Sequence, residues 1–126
     1  MNGSPLRLFR VKSKNIILDR SYEFALAIMK LCVEIRAGKE FELASQMWRA
    51  GTSIGANVEE AQAAQSRADF KSKMSIAAKE AREIHYWLRL TQDGNVLPAE
   101  RVTDLIEEIS ELKRILTSIV MSSGKQ

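Results

Sequence analysis

A chain of 126 residues, 45% hydrophobic and 28% charged, is long enough for one domain with a real core. Its single cysteine, Cys32, excludes an internal disulfide, and no apolar run approaches the roughly 18 residues that span a membrane. The net charge of +3 permits polyanion binding without requiring it.

Residues 1–14 carry Arg7, Arg10, Lys12 and Lys14 and no acid, so no apolar signal core forms there and a cytoplasmic protein is expected. This segment reads as a basic, flexible tail, or more sharply as an arm that touches phosphates. A first helix is expected from Asn15 to Arg36. Leu18, Tyr22, Ala25, Met29, Cys32 and Ile35 form its stripe, and Phe24, Ile28 and Leu31 widen it. Cys32 reads as a small core residue. Gly38 is placed to end the helix in the left-handed cap conformation.

A second helix is expected from Glu40, with Leu43, Met47, Ala50, Ile54, Val58 and Ala61 on one face. It contains Gly51 and Gly55, each costing about 1 kcal/mol against alanine inside a helix. With Ala50, Ser53 and Ala56 also small, close approach by another helix explains them. A phosphate-cradling loop would need a preceding strand and a following Lys-Ser/Thr, which the chain lacks. The helix breaks near Gln65, and Ser66 can cap a third with Asp69 in its first turn. Phe70, Met74, Ala77, Ala81, Ile84, Leu88 and Thr91 line the third helix, which stops at Asp93-Gly94-Asn95. Pro98 suits the first turn of a fourth, lined by Val102, Leu105, Ile109, Leu112, Leu116 and Ile119. Short connections make neighbours antiparallel, so the expected fold is all-α: an up-down-up-down four-helix bundle over residues 15–121, with residues 122–126 frayed.

Arg67, Lys71, Arg82 and Arg89 form a basic line on the third helix, with Ser75, Ala78 and His85 at the intervening steps. Each member follows a core position by one. Glu100, Asp104, Glu107 and Glu111, with Glu108 beside them, form an acidic line on the fourth. The structural expectation is that the two lines face each other across the seam. The functional alternative is a basic stripe for a nucleic-acid backbone, RNA or DNA, to which Arg49, Lys73 and Lys79 add charge. Trp48, Ile76, Tyr86, Trp87 and Leu90 lie off the main stripes, so a second apolar face is expected, and with Gly51 and Gly55 it is a candidate homo-oligomer interface.

Catalytic machinery is not expected. One histidine cannot supply the paired Glu-x-x-His motifs of a di-metal bundle, and nothing couples Cys32 to His85 as nucleophile and base. No cofactor is expected. The polar cluster Asn57, Glu59 and Glu60 is the single feature that favours a small-ligand carrier or enzyme. A purely protein-binding module is the other alternative.

The run Ser45-Gln46-Met47-Trp48-Arg49-Ala50-Gly51-Thr52-Ser53-Ile54-Gly55-Ala56-Asn57-Val58-Glu59-Glu60-Ala61 resembles the signature of bacterial four-helix-bundle proteins from intervening sequences of large-subunit ribosomal RNA genes. Ser66-Arg67-Ala68-Asp69-Phe70, Lys79-Glu80-Ala81-Arg82-Glu83 and Tyr86-Trp87-Leu88-Arg89-Leu90 continue the match, which spans Asn15 to Val120. The sequence departs from the commonest pattern at Ala61, where glycine often follows the glutamate. The resemblance implies antiparallel bundles assembled as ring-like pentamers. It also implies kinship with accessory proteins of diversity-generating retroelements, which partner a reverse transcriptase and bind nucleic acid through a basic surface. It brings no catalytic residues.

Overall fold

The computed structural model describes residues 15–123. The tail expected over residues 1–14 and the last three residues lie outside them. The four helices are α1 (Ile16–Ala37), α2 (Phe41–Gln62), α3 (Arg67–Asp93) and α4 (Thr103–Ser123), with a 3-10 turn at Ala99–Arg101 before α4. Each packs against the next, and α1 closes the bundle on α4 through the thinnest seam.

The helix starts follow from side-chain caps. Asn15 accepts from the Leu18 amide at 3.2 Å, and Ser66 accepts from the Asp69 amide at 3.0 Å. The stops differ from expectation in one detail. Gly38 and Gly94 keep negative φ, and the left-handed residue is the next one, Lys39 at φ 69° and Asn95 at φ 58°. Gly94 is needed for space instead, since a Cβ there would lie 2.8 Å from the Leu90 carbonyl oxygen. Pro98 precedes the 3-10 turn and does not occupy the first turn of α4. At the other end α4 runs through Ser122 and Ser123, past the expected boundary, with Ser123 Oγ donating to the Ile119 carbonyl.

The core holds Phe24, Ile28, Ile35, Met47, Ile54, Met74, Ile84, Leu88, Ile109, Leu112 and Leu116, all fully buried. Burying each such side chain contributes about 1.5–3 kcal/mol before entropy is charged. Cys32 is among them, as expected, and burial pushes its thiol up to about 11.

The first half of the α1 stripe is displaced from the expected one, whereas Cys32 and Ile35, and the flanking Phe24, Ile28 and Leu31, are buried as expected. Ile17, Ser21, Phe24 and Ile28 face inward, whereas Leu18, Ala25 and Met29 are half-buried and Tyr22 is exposed. The cause lies on α2. A Cβ on Gly51 would sit 2.6 Å from Ile28 Cγ2, and one on Gly55 would sit 3.3 Å from the Ser21 carbonyl oxygen. The two glycines form the floor on which Ile28 and Ser21 rest. That close approach was expected of them. Both are buried inside the monomer, so they leave the set of candidate oligomer contacts.

A candidate nucleic-acid interface on the third and fourth helices

The basic line of α3 does not meet the acidic line of α4. Glu108 instead accepts two hydrogen bonds from Arg20 of α1, at 2.8 and 2.9 Å. Glu111 pairs with Arg114 and also feels Arg20, while Glu100, Asp104 and Glu107 remain exposed. The flank of α4 that faces α3 carries Ser110, Lys113 and Thr117. Together with Arg82 of α3, and with Arg114 and Ser118 of α4, they line an open groove of about 660 Å³. A second hollow of about 530 Å³ shares Ser118 and Ser122 with it and adds Arg67 and Phe70. Among the described residues, Lys71, Arg82 and Arg89 form no ion pair with α4.

The chemistry of this groove is plain. Guanidinium and ammonium groups with interleaved hydroxyls donate hydrogen bonds to phosphate oxygens. His85, half-buried one turn beyond Arg82, reports the local field. Burial, then Lys113 and Arg89, push its imidazole below the usual histidine range. Arg89 itself lies with its guanidinium 6.0 Å from the centre of the Tyr86 ring.

The remaining expected basic residues separate. Arg49 is taken out of the polyanion set, because it bridges α2 to α3. It donates to Glu80 at 3.2 Å and to Glu83, and Trp87 Nε1 donates to the same Glu83 at 3.2 Å. Lys73 sits 3.8 Å from Asp69, one turn back on its own helix. Lys79 is exposed, on the side where its charge acts on Glu83.

The Arg49 bridge makes part of the stability acid-sensitive. The hydrogen bond from Arg49, aided by Trp87, holds the Glu83 carboxyl below the usual carboxylate range. A depressed carboxyl stabilises the fold above its unfolded pKa, and that share is lost as pH falls through the folded value. Arg49→Met is therefore expected to cost about 1 kcal/mol near neutral pH, the half-exposed arginine being screened by solvent. The deficit against wild type should shrink below about pH 4. Denaturant midpoints at both pH values check this, and an equal deficit at both would show that Arg49 acts through packing alone.

On the opposite flank of α3 and the outer side of α2 lie the apolar candidates. Trp48, Ile76, Tyr86 and Leu90 are exposed, and Trp87 is half-buried against the core with its ring edge-on to Tyr86. Phe41, exposed at the start of α2, belongs with them and escaped the sequence reading because it falls at a helix boundary. Glu59 and Glu60 are exposed, and Asn57 Nδ2 donates to Ser53 of its own helix. The three do not converge on the interior of the single chain.

The helix order and the central motif of α2 are those of a known family. The chain matches the family model of the 23S rRNA-intervening sequence protein over residues 13–118. It belongs to that family. A crystal structure similar to this chain is that of a protein of unknown function from the S23 ribosomal protein family of Bacteroides thetaiotaomicron VPI-5482. The two share 42% identity at a TM-score of 0.79, over 82% of this chain and 97% of that one. Comparison with curated proteins gives no match. No helix among the described residues is long and apolar enough to cross a membrane.

Proposed function

We propose that this chain is a non-enzymatic, homo-oligomeric scaffold or adaptor that engages nucleic acid, or an enzyme acting on nucleic acid, through the basic surface of α3 and α4. The observation that carries the reading is the groove. Where carboxylates were expected to neutralise α3, the facing flank of α4 supplies Lys113 and hydroxyls. Phosphate contacts of this kind bind without reading bases and release counterions, so binding is salt-dependent. Self-association rests on the exposed Phe41, Trp48, Ile76, Tyr86 and Leu90, too much large apolar surface on adjoining helices for an isolated bundle. A ring of five is the assembly the family resemblance implies.

Light scattering at low and high salt, with the 260/280 nm absorbance ratio, tests both parts. The expected result is one oligomer at both salts that carries nucleic acid removable by salt. An oligomer clean of nucleic acid, with no affinity for added duplex, favours the alternative of a purely protein-binding module. A monomer at every concentration overturns the apolar interface.

A further inference from the structure

His85 lies beside the α3–α4 groove, not in its lining, and as the one histidine of the chain it can change charge near neutral pH. It lies one helical turn from Arg82 and one from Arg89 on α3, and Lys113 faces it from α4. On the other flank of α3, the facing charge of α2 is Arg49, already engaged by Glu80 and Glu83. Among the described residues no ion pair joins His85 to a carboxylate, and burial with the neighbouring cations Lys113 and Arg89 disfavours its protonated form.

Resting on the nucleic-acid reading above, we infer that His85 couples occupancy of the α3–α4 groove to pH: a phosphodiester backbone laid along Arg82 and Lys113 draws a proton from solvent onto His85. The physical step is a change of field. Phosphates neutralise the positive charges that oppose the imidazolium, and they attract it directly. The protonated form is then favoured in the complex more than in the free protein. By linkage, a group that takes up a proton on binding makes binding tighter as pH falls. The depressed imidazole of the free protein fits this arrangement, because the cations that repel its proton are those that hold the anion.

The sequence makes the test direct, because His85 is the only histidine and its ring protons are unambiguous in untagged protein. Its proton NMR titration is recorded with and without saturating short DNA duplex, and duplex affinity is measured across the same pH range by fluorescence anisotropy. The expected result is an upward move of the His85 titration in the complex, with binding about fivefold tighter near pH 6 than near pH 8. His85→Gln should flatten that dependence while binding duplex as wild type does at the alkaline end. Duplex binding with an unmoved His85 titration, or with the same pH slope in His85→Gln, overturns this inference and leaves the nucleic-acid reading standing. Absence of duplex binding at every pH and at low salt overturns both this inference and the direct nucleic-acid contact on which it rests.

Discussion

Gly51→Leu is expected to cost the bundle about 3 kcal/mol or more, and Gly51→Ala about 1 kcal/mol. The second figure is the more informative. On helix propensity alone, alanine in place of an interior glycine would gain about 1 kcal/mol. The gain is overridden because the new Cβ falls 2.6 Å from Ile28 Cγ2 and 3.0 Å from Ile28 Cβ and Cγ1. Ile28 is fully buried and cannot swing away, so α1 must lift off α2 or Ile28 must leave its rotamer. Ile28→Ala alone opens a cavity and costs about 2–5 kcal/mol. Combined with Gly51→Ala it gives the methyl room. The double-mutant cycle should then show favourable coupling of at least about 1 kcal/mol. Urea unfolding at a fixed protein concentration measures all three variants, the concentration being held because self-association would contribute. A stabilising Gly51→Ala, or additive singles, would show that the helices are not locked at this point. Gly55→Ala should cost less, since its Cβ would lie 3.3 Å from the Ser21 carbonyl oxygen.

The second large effect concerns binding. Arg82→Glu with Lys113→Glu is expected to weaken affinity for duplex DNA about 100-fold at low salt, and to reduce the salt slope by about two. Both residues line the groove, neither belongs to the core, and Arg82 makes no ion pair among the described residues. The fold should therefore survive, and its helical content is the check. The control is Lys30→Glu with Lys39→Glu. It makes the same change of net charge at exposed positions on and just after α1. If the control pair weakens binding equally, affinity follows overall charge and the groove is not the site.

The α3–α4 groove was half legible beforehand. On α3, Lys71, Arg82 and Arg89 stand one position after Phe70, Ala81 and Leu88 and can be read from spacing, and Arg67 follows the capping Ser66. Lys113 stands one position after Leu112 by the same rule, so the signal that would have found it was present. The error lay in the choice of facing flank. Neighbouring antiparallel helices are related by a local two-fold, so like flanks meet: residues after the core on α3 face residues after the core on α4. Glu108 and Glu111 precede Ile109 and Leu112 and therefore face α1, where Arg20 precedes Ser21. Arg49, preceding Ala50, meets Glu80 and Glu83, which precede Ala81 and Ile84, for the same reason.

What the sequence by itself determined is the set of elements: four amphipathic helices, their caps at Asn15 and Ser66, their stops beside Gly38 and Gly94, and the antiparallel order that short connections impose. These are local matters, set by periodicity of 3.6 and by backbone hydrogen bonds that must end somewhere. Only the tertiary structure decided how each helix is rotated about its axis. On α1, apolar residues cover so much of the circumference that Leu18, Tyr22, Ala25 and Met29 compete with Ile17, Ser21, Phe24 and Ile28. Periodicity is equally content with either. The bare backbone at Gly51 and Gly55 selects the second set, because only there can two helices approach within the reach of Ile28 and Ser21. Rotation in turn decides which charges meet, and therefore whether a line of arginines is neutralised or left as a groove.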